Sequence, residues 1–324
     1  TLESNQALAL MGWSVASAGD INGDGYGDVI VGAPNYDNGQ NNEDAEFVYH
    51  GSAGGINTTA SATVESNQAN ASMGWSVASA GDVNGDGYSD VIVGAYRYDN
   101  GQTNEGAAFV YHGSASGIIT TAAATLESNQ ANASMGWSVA SAGDVNGDGY
   151  SDVIVGAYQY DNGQAEEGAA FVFHGSASGI NTTAAVTVES NQAVAGMGIS
   201  VASVGDVNGD SYSDVIVGAY LYDNGQSDEG AVLVYHGSAS GINSTVAATV
   251  ESNQTDARMG WSVASAGDVN GDGYSDVIVG AYLFDNGQTD EGAAFIYHGN
   301  SPGTNKRNNL RLYNTNLTTP INSS

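Results

Sequence analysis

Five stretches of the chain read Asp-x-Asn-x-Asp-x-Tyr-x-Asp, with first aspartates at 20, 82, 144, 206 and 268, a spacing of 62 residues each time. Side-chain oxygens fall at loop positions 1, 3, 5 and 9, and position 7 offers a backbone carbonyl. Hard oxygen donors in this order converge on Ca²⁺ at about 2.4 Å. The expected donors are Asp20, Asn22, Asp24, Tyr26 and Asp28 in the first loop and Asp82, Asn84, Asp86, Tyr88 and Asp90 in the second. The third holds Asp144, Asn146, Asp148, Tyr150 and Asp152, and the fourth Asp206, Asn208, Asp210, Tyr212 and Asp214. Asp268, Asn270, Asp272, Tyr274 and Asp276 complete the set. The plain alternative is a series of ordinary Asp/Asn/Gly turns. Three carboxylates within nine residues repel one another unless a cation joins them, and all five copies repeat the arrangement. The reading is therefore one Ca²⁺ per repeat, five in all. The loops' own oxygens fill most of the coordination shell, which makes the metal chiefly structural. Position 6, where the turn is sharpest, is Gly25, Gly87, Gly149 and Gly273, but Ser211 in the fourth loop. Serine tolerates positive φ poorly, so the fourth site is expected to be the weakest.

The charge narrows the partners. The chain has 324 residues, with 36 Asp and Glu against 5 Lys and Arg, a net charge of −31. Three of the bases, Lys306, Arg307 and Arg311, lie in an acid-free tail, which leaves Arg97 and Arg258 for the repeats. Nucleic acid is excluded as a partner, because a phosphate backbone calls for basic surface. The same deficit argues against an anionic membrane. Five Ca²⁺ would add ten positive charges and move −31 to −21, which still implies high solubility and suits a salty, calcium-rich setting. The chain has no cysteine, so an exported form would need a staple other than disulfides. No apolar run approaches the roughly 18 residues of a membrane span. The opening Thr1-Leu2-Glu3-Ser4 starts in mid-pattern, as a mature or trimmed chain would.

The elements that must position the loops are short strands. In the second repeat, Met73 to Ala80 reads as an inner strand of small side chains, and the loop follows. Val91 to Ala95 is a short apolar run bounded by turn signals, the pattern of a strand buried on both faces. Asp99-Asn100-Gly101 marks a turn, Ala107 to His112 a third strand, and Ala123 to Glu127 a more polar outer strand. No segment keeps a helical period. Four antiparallel strands per unit, repeated around an axis, make an all-β propeller of four-stranded antiparallel blades. An open β-solenoid is the alternative, but its coils are usually shorter.

Met-Gly opening the first strand, the loop itself, and Gly-Ala-Tyr or Gly-Ala-Pro closing the second strand resemble the FG-GAP repeat of integrin α chains and bacterial surface proteins. The resemblance covers residues 1–300 in five copies. Met11, Met73, Met135, Met197 and Met259 stand where the family usually has Phe, and only Pro34 keeps the proline that is Tyr96, Tyr158, Tyr220 and Tyr282 elsewhere. The resemblance implies a calcium-binding β-propeller that is extracellular or at the cell surface. It further implies adhesion or recognition of a protein or glycan on a cell or matrix, with no catalysis and no membrane insertion. A lectin-like propeller and a fibre subunit assembled by strand addition are the alternatives. In the family the 2–3 and 4–1 loops share the partner-binding face opposite the calcium loops, so the candidate ligand residues are Tyr98, Asp99, Asn100, Tyr160, Asp161, Tyr222 and Asp223. Beside them lies a variable position: Asn35, Arg97, Gln159, Leu221 and Leu283.

The chain ends pose a separate question. Aligning His298 with His112 lays Leu310-Arg311-Leu312 on an outer strand, so the tail, 301–324, is expected to complete the fifth blade. Thr1-Leu2-Glu3 aligns with the outer strand at Thr63-Val64-Glu65 and would be one strand too many for a closed five-blade ring: either it closes the last blade and the tail packs elsewhere, or it serves a blade of a larger ring, or it pairs with another subunit. The histidines at 50, 112, 174, 236 and 298 recur singly and are expected to be structural, and the tryptophans at 13, 75, 137 and 261 to pack in the core.

Overall fold

The computed structural model describes residues 1–39 and 44–300. All regular elements among the described residues are strands. The first blade comprises β1 (Val15–Gly19), β2 (Asp28–Ala33), β3 (Ala45–Tyr49) and β4 (Ala62–Val64). The second comprises β5 (Met73–Gly81), β6 (Asp90–Ala95), β7 (Ala107–Tyr111) and β8 (Ala124–Glu127). The third comprises β9 (Met135–Gly143), β10 (Asp152–Ala157), β11 (Ala169–Phe173) and β12 (Val186–Glu189). The fourth comprises β13 (Met197–Gly205), β14 (Asp214–Ala219), β15 (Ala231–Tyr235) and β16 (Ala248–Glu251). The fifth shows β17 (Met259–Gly267), β18 (Asp276–Ala281) and β19 (Ala293–Tyr297). Each blade is an antiparallel meander in sequence order, with four strands in the first four blades and three in the fifth. The tail strand expected at 310–312 lies outside the described residues. No strand forms at residues 1–3, where Leu2 instead packs beside Val31 and Phe47. An outer strand at residues 1–3 would belong to a blade ahead of the first, whose own outer strand is β4.

The sequence pattern explains why the blades stack. Val-Ile-Val-Gly-Ala strands bury both faces in the second to fourth blades because a neighbouring blade covers each side, and four of the five apolar clusters lie between blades. Between the first two, Ile30, Val48 and Val64 meet Met73, Val93 and Phe109. Each such side chain contributes roughly 1.5–3 kcal/mol when fully buried. The glycine of Val-Ile-Val-Gly-Ala sets the closeness of approach. A Cβ on Gly32, Gly94, Gly156 or Gly218 would collide with the backbone carbonyl of Gly74, Gly136, Gly198 or Gly260 in the next blade. This accounts for the Met-Gly and Gly-Ala pairs recurring together.

The inner strands begin where the preceding blade holds them. The Met135 N–H donates to the Glu105 carbonyl at 3.0 Å, and the Met197 and Met259 N–H groups donate to Glu167 and Glu229 in the same way. Among the described residues no blade stands before Met11, and β1 is shorter than β5 by its first four residues. The end blades are uncovered on their outer faces. Val15 is 67% exposed where Val77 is 6%, and Val269 is 51% exposed where Val83 is 0%. The five described blades therefore form an open-ended row. No helix among the described residues is long and apolar enough to cross a membrane.

Candidate functional site

A meander alternates its ends. The turn from first to second strand and the turn from third to fourth lie at one end of every blade, and the second-to-third turn and the link to the next blade lie at the other. The five acidic loops are first-to-second turns, so all gather on one face.

Within each loop the backbone is held by the loop's own side chains. Asp20 Oδ1 accepts the Asp24 N–H at 3.1 Å and Oδ2 the Gly25 N–H at 2.9 Å. Asn22 Oδ1 accepts the Asp24 N–H at 3.0 Å, and Asp24 Oδ1 the Tyr26 N–H at 2.9 Å. The second to fifth loops repeat this pattern around Asp82, Asp144, Asp206 and Asp268, with Asn84, Asn146, Asn208 and Asn270 and with Asp86, Asp148, Asp210 and Asp272 in the same roles. Backbone N–H groups, Gly273 first, hold the Asp268 carboxyl below its ordinary range.

The ninth-position carboxylates are different. Asp28, Asp90, Asp152, Asp214 and Asp276 are buried. Asp28 Oδ2 accepts the Ile21 N–H at 2.9 Å and Oδ1 the Gly51 N–H at 2.8 Å, so this group ties its own loop to the third-to-fourth turn. The other four do the same. Burial pushes Asp90 up to about 6, partly offset by its two amide partners. Burial likewise raises Asp152 and Asp214 to about 7, with the acids at loop positions 5 and 1 adding to the rise.

Among the described residues no three Asp, Glu or His side chains sit close enough to share an ion. The ninth-position group is turned toward amides. An ionised carboxylate has about four acceptor sites, and two amide bonds leave about half of them open. The donor set of carboxylates, one carboxamide and one carbonyl is that of a hard cation, so the residues fit Ca²⁺. Position 6 bears out its special backbone: Gly25, Gly87, Gly149 and Gly273 have φ between +87° and +90°, and Ser211 is forced to +73°.

The loops also touch one another. The Tyr88, Tyr150, Tyr212 and Tyr274 rings lie against Gly23, Gly85, Gly147 and Gly209 of the preceding loop. The Ser89 N–H donates to the Asp20 carbonyl at 3.0 Å, repeated by Ser151, Ser213 and Ser275. The histidines space adjacent blades on this face. The rings of His50, His112 and His174 fill the volume beside Gly117, Gly179 and Gly241, and His298 Nδ1 lies 3.1 Å from Asp276 Oδ2.

On the opposite face the candidate ligand residues have internal partners. Tyr98 and Tyr160 meet Phe109 and Phe171 edge-on at 5.1 and 5.2 Å, and Tyr222 packs against the core between the third and fourth blades. The Asp99 N–H donates to Gln68 Oε1 at 2.7 Å while Gln68 Nε2 donates back to the Asp99 carbonyl. Asp161 and Asp223 make the same exchange with Gln130 and Gln192. Asn100 donates through Nδ2 to Glu127 and through its N–H to Glu105.

The tryptophans stand outside the core. Trp13, Trp75 and Trp137 form a row with centroids 4.5 and 4.8 Å apart, flanked by Tyr96 and Tyr158, and Trp13 is 51% exposed. Ile199 interrupts the row before Trp261. A cavity of ≈ 350 Å³ opens beside it between the second and third blades, lined by Tyr96, Arg97, Trp137 and Tyr158 among others. The sequence pattern points Trp137 to the core and marks Tyr96 and Tyr158 only as standing where the family has proline. The signal available was Arg97, a rare base at the variable position.

Five segments of this meander, 11–50, 73–111, 135–173, 197–235 and 259–297, match the FG-GAP repeat. The chain belongs to the FG-GAP repeat family. Among curated proteins, an integrin alpha pat-2 from Caenorhabditis briggsae is 33% identical over 227 residues, 65% of this chain and 18% of the relative. Human integrin alpha-6 is 35% identical over 139 residues, 43% of this chain and 12% of the relative. Integrin alpha-4 from Xenopus laevis is 33% identical over 149 residues, 45% of this chain and 14% of the relative. The FG-GAP chain thus spans less than a fifth of the length of these integrin relatives.

Proposed function

We propose that this FG-GAP propeller is an extracellular or cell-surface recognition module. In this reading, Ca²⁺ in the five loops stiffens one face and the other face meets a protein or glycan on a cell or matrix. The observation that carries the reading is the separation of the two faces by the meander, in a chain whose relatives are integrin alpha proteins. The oxygens of Asp20, Asn22, Asp24, Asp28 and the Tyr26 carbonyl, and their equivalents, would hold the metal. Bound Ca²⁺ would neutralise carboxylates that otherwise repel, and the inter-loop contacts through Tyr88 and Ser89 would pass that rigidity from blade to blade. The reading assigns no reaction to the chain. Residues 1–3 form no strand, so assembly through a spare N-terminal strand draws no support from the fold.

The absence of cysteine makes the test clean. Single cysteines at Ala131, on the 4–1 link, and at Thr58, in a third-to-fourth turn, are both exposed and can each carry a polyethylene glycol chain. Immobilised matrix proteins, matrix glycans and cell layers are then probed with the calcium-loaded chain. The reading expects saturable binding that the Ala131 label blocks and the Thr58 label spares. Binding blocked only from Thr58, or no binding to any of these surfaces, would overturn it.

A further inference from the structure

We propose that the cavity between the second and third blades is a binding site for an acidic sugar, recognised through its carboxylate by Arg97. The proposal deepens the recognition reading above and rests on it.

Arg97 is the one described base without an ion-pair partner. The other, Arg258, is held by Asp228 at 3.1 Å. The Arg97 guanidinium lies 5.0 Å from the centre of the Tyr96 ring, which fixes it at the cavity while leaving its N–H donors open. On a chain of net charge −31, the cavity lining contains no acid. The nearby Asp99 carboxylate is engaged by the Asn104 N–H. Glu166 and Arg97 act in opposite senses on Tyr158 of the lining, so Arg97 would recognise a carboxylate by direct pairing rather than through the field of the cavity. A planar guanidinium pairs with a carboxylate through two parallel hydrogen bonds.

The rest of the lining selects among carboxylates. Trp137 and Tyr158, with ring centres 4.5 Å apart, present aromatic surface to the cavity. Asn104, Asn132 and Gln159 bring three carboxamides, and the Ser134 hydroxyl donates to Gln159 Oε1 at 2.9 Å, which orients that amide with its N–H₂ free to donate. A lone aspartate or glutamate side chain would occupy Arg97 and leave these groups idle. A ring with several hydroxyls, an apolar C–H face and one carboxylate uses all of them. The volume is in the range of small-ligand pockets.

The repeat supplies an internal control. At the next interface Gln159 replaces Arg97, Glu166 replaces Asn104 and Ile199 replaces Trp137. At the one after, Leu221, Asp228 and Asp256 replace Arg97, Asn104 and Asn132. At the first interface Pro34 and Asn35 stand for Tyr96 and Arg97. The same scaffold position thus carries the carboxylate-recognising set once.

The test uses the calcium-loaded chain made in bacteria, because Asn132-Ala-Ser134 is an N-glycosylation sequon within the cavity. Glucuronate oligomers, neutral glucose oligomers and an Asp/Glu-rich peptide are titrated by calorimetry and tryptophan fluorescence. The variants are Arg97→Gln and Trp137→Ile, both residues that sister blades carry at these positions, with melting curves to confirm the fold. The proposal expects the glucuronate oligomer to bind, the neutral one to bind at least roughly tenfold more weakly, and Arg97→Gln to remove that preference, as loss of a charge-assisted pair requires. Trp137→Ile should weaken binding with the preference intact. Peptide binding that depends on Arg97 without glucuronate binding would overturn the sugar assignment. So would glucuronate binding indifferent to Arg97. If matrix proteins bind while glucuronate does not, this proposal fails and the recognition reading stands. If neither binds, both fail.

Discussion

Replacing Glu46 with alanine should make the protein more stable, and increasingly so as pH rises. Glu46 sits on β3 facing Gly74 of the second blade, wholly buried, and neither of its carboxyl oxygens has a hydrogen-bond partner. The sister blades place Ala108, Ala170, Val232 and Ala294 there. Burial holds the Glu46 carboxyl well above its usual pKa, and the charges of Asp44 and Glu65 add to the rise. A buried polar group without a partner costs about 1–3 kcal/mol. Alanine removes that cost and gives up about 1 kcal/mol of methylene burial, so the net gain at low pH is about 0–2 kcal/mol. The pH term adds to this. A carboxyl with a raised folded-state pKa binds more protons in the folded chain than in the unfolded one. Its stabilising contribution is complete below the unfolded pKa of about 4.3 and is lost as pH rises toward the folded value. Within that window the wild type loses up to about 1.4 kcal/mol per pH unit through this group. Urea unfolding of both proteins in saturating Ca²⁺ from pH 5 to pH 8 gives the difference curve, in which the shared titrations of the loop aspartates cancel. The variant's advantage should widen with pH. A variant less stable throughout, or a difference flat in pH, would refute the reasoning.

Other substitutions test neighbouring steps. Ser211→Gly relieves a left-handed serine at φ +73° in a loop whose counterparts are glycines with open space beside them, and should stabilise the calcium-loaded chain by about 0.5–1 kcal/mol and tighten one site. Equal or weaker Ca²⁺ binding by calorimetry would count against the position-6 argument. Gly94→Ala drives a methyl into the Gly136 carbonyl and should cost about 3 kcal/mol in urea melts, whereas Gly87→Ala, beside open space at φ +89°, should cost only about 1 kcal/mol. Comparable losses at the two sites would mean that blade spacing is not set by the glycine contact.

The strands were legible because a short apolar run between fixed punctuation recurs five times. The inner strand expected from Met73 to Ala80 runs Met73–Gly81, and the outer one expected from Ala123 runs Ala124–Glu127. The loop turns were legible for the same reason, down to the strained Ser211. Contacts between repeats were not. The hydrogen bonds that engage Asp99 come from Gln68, which lies 31 residues earlier in the preceding link. The burial of Tyr98 depends on Phe109 across the hairpin. Tryptophan reads as core because Ile199 replaces it in the fourth repeat, yet the inner strands bring Trp13, Trp75 and Trp137 side by side outside the core. Thr1-Leu2-Glu3 resembles an outer strand by alignment, but such a strand needs the third strand of another blade beside it, and Leu2 lies instead against the first blade.

The central claim is that five acidic loops take up Ca²⁺ and thereby stiffen the propeller. The direct measurement is equilibrium dialysis of Ca²⁺ against the exhaustively chelated chain, with calorimetric melting of the same samples. The account predicts about five ions per chain and a melting temperature that climbs as they bind, by at least ~2.7 kcal/mol of stability for each site filled at one hundred times its dissociation constant. Uptake of one ion or none, with a melt unchanged by chelation, would contradict it.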